Sequence, residues 1–155
     1  MIVQKLHLEK RFPGSKATTA RDQQLTWEHT LTPSSLSNSY RVRVSYVRPG
    51  RIDVNVIEPK LALATGKTSL PHVFSHAEQR LCLFRFKKFE WNANQLIVDT
   101  IVPWTCEWLL HYEIWLITGE WLGGGEHLEP DSSESRIAEE EGNNFEKQTI
   151  LKQKR

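Results

Sequence analysis

The sequence predicts a single α+β domain in which consecutive antiparallel strands are followed by a long buried helix. Its 155 residues, 39% apolar and 25% charged, suffice for one core and are typical of a globular protein. Two segments of alternating apolar and polar residues flank a Pro-Gly turn, which is the pattern of a hairpin. The most apolar segment, residues 96–118, still carries three acidic side chains and a histidine, which favours a buried helix over a membrane span.

The strands are predicted from alternation. Residues 40–46 place tyrosine and valine on one face and polar residues on the other, and residues 52–57 alternate again after the turn. We therefore expect these two segments to pair as an antiparallel hairpin that ends before Pro59, which cannot donate to a sheet. Residues 25–31 are predicted to form an earlier strand, and the polar segment 16–24 a loop.

Two helices are predicted at either end of the sheet. Residues 1–10 have near-helical apolar spacing and stop before Pro13-Gly14. The second helix should begin between Asp99 and Trp104 and run to about Leu122, where three glycines stop it. The folded domain is thus assigned to residues 1–125. Residues 126–155 are rich in acids and poor in apolar residues, so we predict a mobile tail.

Charge and cysteine content limit the classes of function. The formal net charge of +1 argues neither for nor against nucleic acid as a partner. The first residues lack the hydrophobic core and cleavage site of a signal peptide, so the expected compartment is the cytoplasm. There both cysteines are expected to be free thiols rather than a disulfide.

Cys82 is the candidate nucleophile because a thiolate is reactive and its pKa falls near cations. Arg80, Arg85, Lys87 and Lys88 flank it in sequence. On composition alone the simpler interpretation is a buried core cysteine, since cysteine is often buried.

Two further interpretations concern Cys106 and a metal site. Cys106, inside the apolar helix, is interpreted as inert packing. The combination of both cysteines with His72 and His76 lacks the paired spacing of a metal site, so no metal is expected.

Several segments, taken in order, resemble ubiquitin-conjugating enzymes. Residues 39–44 lead over a turn to residues 52–59, and Leu-Pro-His-Val-Phe-Ser at 70–75 precedes Arg-Leu-Cys-Leu-Phe at 80–84. His72 lies ten residues before Cys82, and Glu-Trp-Asn at 90–92 and the helix start follow. The resemblance implies a ubiquitin-conjugating-enzyme-like fold, an antiparallel meander sheet with an N-terminal helix and a long buried C-terminal helix. It also implies that Cys82 is catalytic, with His72 and Trp91 shaping its site.

Two later segments narrow the resemblance. Residues 104–110 and 118–125 resemble small bacterial members encoded in anti-phage (CBASS) operons beside cGAS-like nucleotidyltransferases. This implies that the partner synthase's C-terminus is carried on a cysteine thioester and conjugated to an acceptor protein or amine. No cofactor is expected, because the thioester already stores the energy of transfer.

The sequence departs from the family pattern at the oxyanion donor. The family's His-Pro-Asn motif is replaced by Pro71-His72-Val73, which lacks the asparagine. Asn92, Asn94, a backbone amide or His76 are the alternatives for that role, and the sequence does not choose among them. Asp99 is a candidate for lowering the pKa of the incoming amine.

Two rival functions remain from the sequence. A protein of the same fold without activity would act as an adaptor that binds the nucleotidyltransferase, which the missing asparagine favours. The arginine-bearing strands would alternatively bind nucleic acid, but a near-neutral chain favours a solvated sheet face. Trp121 with the glycines at 123–125 is a candidate docking surface, whereas His111 and His29 are interpreted as surface or core residues.

Overall fold

The fold is an α+β arrangement of one antiparallel sheet and two helices. The computed structural model describes residues 1–84 and 91–124. In chain order the elements are α1 (Ile2–Arg11), β1 (Lys16–Ala20), β2 (Gln24–Leu31), β3 (Tyr40–Val47), β4 (Arg51–Glu58), β5 (Val73–Ser75), β6 (Arg80–Leu81), a 3-10 turn (Ile97–Asp99) and α2 (Ile101–Thr118). Within these residues the sheet has six strands in the order β1-β2-β3-β4-β6-β5. The first four strands form an antiparallel meander. Strand β6 pairs with β4, and β5 pairs with β6 at the edge of the sheet.

The predicted hairpin is confirmed as β3 and β4. Val44 pairs with Val54 and Tyr46 with Ile52 in the antiparallel register. The apolar face of both strands is buried, with Val44 fully enclosed, because alternating side chains point to opposite faces of a sheet. The predicted strand at 25–31 is confirmed as β2, which buries Trp27 completely.

The prediction of a loop at 16–24 is wrong, because Lys16–Ala20 form the edge strand β1. It pairs with β2, and Ala17 is its one buried residue. An edge strand with both faces largely in solvent needs no apolar alternation, so the sequence carried no signal for it.

Helix α1 is confirmed, and it contacts the fold through one apolar and one polar residue. Ile2, Val3 and Leu6 are exposed, whereas Gln4 and Leu8 are buried. The side chain of Gln4 donates from Nε2 to the carbonyl of Gln95 at 2.8 Å and accepts the amide of Ile97 at 2.9 Å. One glutamine therefore joins the helix to the segment that leads into α2.

Helix α2 begins where the sequence predicts and ends earlier than Leu122. Its last residue is Thr118, and Gly119 adopts a left-handed conformation with φ of 73°. Glycine suits this position because it lacks the Cβ that makes positive φ costly. Of the glycines in this region, Gly119 thus stops the helix, and residues 120–124 continue as a separate segment.

Side chains hold the irregular segment between β4 and β5. The hydroxyl of Tyr112 accepts the amide of Ala62 at 2.8 Å, and Gln79 accepts the amide of Leu61 at 3.1 Å. Because buried backbone groups require partners, these contacts replace the hydrogen bonds of a regular element. No helix in the described part of the chain has both the length and the apolar character needed to cross a membrane.

We predict that Gln4→Ala destabilises the protein by about 2 kcal/mol, because it leaves the buried amide of Ile97 and the partly buried carbonyl of Gln95 without partners. Urea unfolding followed by circular dichroism measures the change. His7→Ala is the control on the same helix, where the side chain is exposed and a change below about 0.5 kcal/mol is expected. Equal effects of the two substitutions would contradict the proposed role of Gln4.

Candidate functional site

The backbone carbonyl of His72 organises the region around Cys82. It accepts the backbone amide of Cys82 at 3.0 Å and the indole Nε1–H of Trp108 at 3.0 Å. A carbonyl oxygen has two lone pairs, so both bonds can form together. His72 has φ of 46°, a conformation that a residue with a Cβ adopts at a cost, and the two bonds help to hold it there. The Cys82 segment is thereby joined to helix α2.

Cys82 lies in a cavity of about 380 Å³ between its own segment, helix α2 and the chain after that helix. The α2 side of the cavity consists of Trp104, Glu107, Trp108 and His111. These positions are spaced by three and four residues and so share one face of the helix. The other lining residues are His72, Cys82, Leu83, Phe84, Trp121, Gly123 and Gly124.

The chain after α2 folds back onto this cavity through Trp121. Its indole stacks on the ring of His72, with centroids 5.1 Å apart and planes 29° apart. It also lies 5.5 Å from the ring of Trp108 and 5.8 Å from that of His111. A Cβ on Gly123 would come within 2.8 Å of the indole, so the close approach at this point requires glycine.

The structure places two of the predicted site residues together. Cys82 and His72 line the same cavity, and both are partly buried. Cys106 is also partly buried but packs against the core rather than lining the cavity. Burial raises the pKa of the Cys106 thiol, because an apolar environment disfavours the thiolate.

The other predicted site residues lie outside the cavity lining. The imidazole Nδ1 of His76 accepts the amide of Leu70 at 3.3 Å, so it braces the loop before β5. Trp91 is buried and donates from Nε1 to the hydroxyl of Thr100 at 3.1 Å. Its ring lies 6.4 Å from that of Phe84, which lines the cavity. Trp91 thus packs against a cavity residue without lining the cavity itself.

Asn92 and Asp99 are exposed. The side-chain oxygen of Asn92 accepts the amide of Asn94 at 3.0 Å, which is a local turn contact. Neither Asn92 nor Asp99 lines the cavity that contains Cys82.

Two cavity residues were missed by the sequence reasoning, Glu107 and His111. His111 was interpreted as a surface or core residue, yet its side chain is partly buried in the cavity lining. Its Nε2 lies 3.9 Å from the carboxylate of Glu107, one helical turn away. The signal was present, because Glu107 and His111 share a helix face with Trp104 and Trp108, but the whole helix was interpreted as buried.

The arginines of the sheet are paired with acids. Arg43 lies 2.7 Å from the Glu28 carboxylate and Arg51 lies 2.9 Å from that of Asp53. Arg41 and Arg48 form comparable pairs at 3.3 Å. This neutralisation favours a solvated sheet face over a nucleic-acid surface. Arg85, Lys87, Lys88 and the tail 126–155 lie outside the described residues.

Within residues 1–84 and 91–124, no group of three or more histidine, cysteine, aspartate or glutamate side chains is arranged to hold a metal ion.

Together these observations define an α+β protein with a partly buried cysteine in an aromatic-walled cavity between the sheet edge and the C-terminal helix. A family model described as "Type II CBASS E2 protein" matches residues 4–128. The chain belongs to this family, and the family name assigns it an E2-like role in CBASS. No curated protein matches the chain.

We predict that an alkylating reagent modifies Cys82 faster than Cys106 in the folded protein at neutral pH. Since burial raises the pKa of Cys106, its thiolate fraction falls at pH 7 and its reaction accelerates only at higher pH. Intact mass spectra of Cys106→Ala and Cys82→Ala, each with one remaining thiol, give the two rates separately. Equal rates, or a faster Cys106, would contradict this order.

We predict that Trp108→Phe loosens the Cys82 segment, because the phenyl ring cannot donate to the His72 carbonyl. The expected loss of stability is about 1 kcal/mol, together with faster hydrogen exchange at the Cys82 amide. Trp104→Phe is the matched control, since it changes the same cavity wall and leaves both bonds to the carbonyl in place. The interpretation fails if both variants exchange at the same rate.

Proposed function

We propose that this chain is a cysteine-dependent protein-conjugating enzyme with a ubiquitin-conjugating-enzyme-like fold. Cys82 accepts the C-terminal acyl group of a partner protein as a thioester and passes it to an amine. The observation that carries the proposal is the position of Cys82, which lines a cavity instead of packing in the core. The family match over residues 4–128 supports it, since an E2 is a conjugating enzyme by name.

The order of elements also supports the proposed fold. The resemblance implies an N-terminal helix, a meander, an irregular segment with the cysteine and a long final helix. The chain has these in that order, with Cys82 directly after β6 and before α2. The β1–β4 meander and the irregular segment that follows Pro59 agree with the same plan.

The proposed reaction has two steps. The Cys82 thiolate attacks the activated carbonyl of the partner's C-terminus, the C–S bond forms, and the bond to the activating group breaks. An amine then attacks the thioester, the C–N bond forms, the nitrogen loses a proton, and the C–S bond breaks to return the thiolate. Neither step requires a cofactor bound to this chain.

The geometry narrows the choice of oxyanion donor. The amide of Cys82 already donates to the carbonyl of His72. Asn92 and Asn94 form a turn outside the cavity. The imidazole of His76 accepts the backbone amide of Leu70. We therefore favour a backbone amide of the segment after Cys82, because Leu83 and Phe84 line the cavity.

The proposed partner is a cGAS-like nucleotidyltransferase whose C-terminal tail reaches the cavity, and the proposed compartment is the cytoplasm. The family's association with CBASS supports this choice of partner. A cavity walled by aromatic rings and open to the solvent-exposed segment after α2 suits an extended tail better than a bulky folded surface.

The test is intact mass spectrometry after this chain is co-expressed with the proposed nucleotidyltransferase partner and purified without reductant. We expect wild type and Cys106→Ala to carry a partner-sized adduct that thiol cleaves, whereas Cys82→Ala carries none. Cys82→Ser is expected to retain an adduct that resists thiol, because an ester is less labile to exchange than a thioester.

A different result would favour the adaptor. If none of the variants carries an adduct while the nucleotidyltransferase still co-purifies with Cys82→Ser, the chain binds its partner without conjugating it. An adduct lost in Cys106→Ala but kept in Cys82→Ala would reject Cys82 as the acceptor.

A further inference from the structure

The chain after α2 forms one side of the cavity that contains Cys82, and a single ring holds it there. Trp121 lines the cavity and is partly buried. Its indole packs on three other rings of the lining, those of His72, Trp108 and His111. The next residue, Leu122, is 63% exposed and gives no comparable anchor. Residues 119–124 are therefore attached to the site mainly through the indole of Trp121.

Backbone hydrogen bonds contribute little to this attachment. The amide of Gly119 donates to the carbonyl of Trp115 at 2.7 Å, which completes the last turn of α2, and the amide of Glu120 donates to the hydroxyl of Thr118 at 3.1 Å. Beyond that point, no backbone group of residues 121–124 forms a hydrogen bond with another residue in the described part of the chain. A segment with so few hydrogen bonds opens locally at a low cost in free energy.

The indole N–H of Trp121 makes the observed position less favourable than the packing alone suggests. Its Nε1 is buried and has no hydrogen-bond partner among the described residues, whereas Nε1 of Trp108 donates to the carbonyl of His72. A buried donor without an acceptor is costly, and this cost disappears when the ring moves into water. Trp27 also has an unpaired indole N–H, but it lies in strand β2, which is paired on both sides and holds it in the core.

Glycines lie on both sides of Trp121 and allow the backbone to rotate. Gly119 adopts a φ of 73°, and a Cβ on Gly124 would meet no atom within 4 Å. Glycine absorbs large changes of φ and ψ at little steric cost, which is why it suits the ends of a moving segment. The segment thus has one anchor, the Trp121 ring, between two positions that can turn.

Resting on the proposed function of Cys82, we infer that residues 119–124 are a lid over the cavity and that Trp121 closes it. In the closed position the indole packs on His72 and Trp108 and bounds a cavity of about 380 Å³. The lid opens when the C-terminal tail of the acyl donor enters, and the tail takes the place that the indole leaves.

The apolar character of the rings explains why the lid stays closed without a partner. Opening exposes the faces of His72 and Trp108 on which the indole packs, and water disfavours that exposure. A tail that covers the same rings stabilises the open position and shifts the population toward it. The lid therefore couples access to Cys82 to the presence of the correct donor.

The test compares two alkylating reagents of different size on Cys82, in a Cys106→Ala background and without a partner protein. Iodoacetamide is small enough for the closed cavity, whereas fluorescein-5-maleimide requires an open lid. We expect Trp121→Ala to raise the maleimide rate about tenfold relative to the iodoacetamide rate, because the ring contacts that close the lid are lost. A change in the reactivity of the thiolate would alter both rates alike, so their ratio measures access. An unchanged ratio in folded Trp121→Ala would overturn the inference.

Two control variants separate release of the lid from other changes at the site. Leu122→Ala alters an exposed side chain of the same segment and should leave the ratio unchanged. Trp104→Ala enlarges the cavity from the α2 side while the Trp121 ring keeps its contacts, so a much smaller increase is expected. An increase in either control equal to that in Trp121→Ala would overturn the inference.

A second measurement covers the case in which Trp121→Ala does not fold. The six tryptophans are replaced by 5-fluorotryptophan in the Cys106→Ala protein, and Trp121→Phe identifies the fluorine resonance of Trp121. After the maleimide has reacted with Cys82, this resonance should gain the H₂O/D₂O shift of an exposed ring, whereas the iodoacetamide adduct should leave it buried. A Trp121 resonance that stays buried beside the bulky adduct would overturn the inference.

The partner reaction distinguishes this inference from the proposed function. Absence of any adduct on wild-type protein and on Cys82→Ser contradicts the proposed function, and the alkylation ratio still decides whether the lid exists. A conjugate on Cys82→Ser in which the Trp121 resonance stays buried contradicts the inference while the proposed function holds. Exposure of Trp121 in that conjugate, but not in the free protein, is the expected result.

Discussion

Two hydrogen bonds to a single carbonyl help to fix the position of the Cys82 segment. The oxygen of His72 accepts the amide of Cys82 and the indole of Trp108, so the loop, the cysteine segment and helix α2 meet at one atom. Strand β6 is only two residues long and pairs with β4 at a single register position. Strand β6 also pairs with β5, itself only three residues long, and the bond from Trp108 adds a contact between this small edge of the sheet and α2.

Elsewhere in the chain, too, polar side chains form hydrogen bonds with the backbone groups of irregular segments. Gln4 holds the segment before α2, and Tyr112 and Gln79 hold the segment after β4. Glu113 accepts both the amide of Asn38 and the hydroxyl of Tyr40. Burial and the bond to Glu113 raise the pKa of Tyr40, so it remains a neutral donor across the physiological range.

Elements whose buried residues recur at regular spacing could be predicted from the sequence. Elements that depend on tertiary contacts were missed. The β3–β4 hairpin was predicted because Tyr46 and Val44 alternate with polar residues on a half-buried strand. Strand β1 was missed because an edge strand has no buried face to leave a pattern. Of the apolar residues that predicted helix α1, Ile2, Val3 and Leu6 proved to be exposed, and the helix docks through Leu8 and the polar Gln4.

The residues of the candidate cavity were likewise predicted only in part. The order of segments pointed to Cys82 and His72, and the structure places both in the lining of one cavity. It did not point to Glu107 or His111, because the helix that contains them was interpreted as buried, and the fold-back of Trp121 forms the cavity only in three dimensions. Asn92, a candidate oxyanion donor, and Asp99, a candidate for lowering the pKa of the amine, lie outside that cavity.

The central claim is that the side chain at position 82 carries the acyl group, and the most direct measurement is to locate the bond. The conjugate trapped on Cys82→Ser is digested and its cross-linked peptides are sequenced by tandem mass spectrometry. The account predicts an ester between the partner's C-terminal carboxyl and the side chain at position 82. A bond at Cys106 or at a lysine of this chain, with position 82 unmodified, would contradict it.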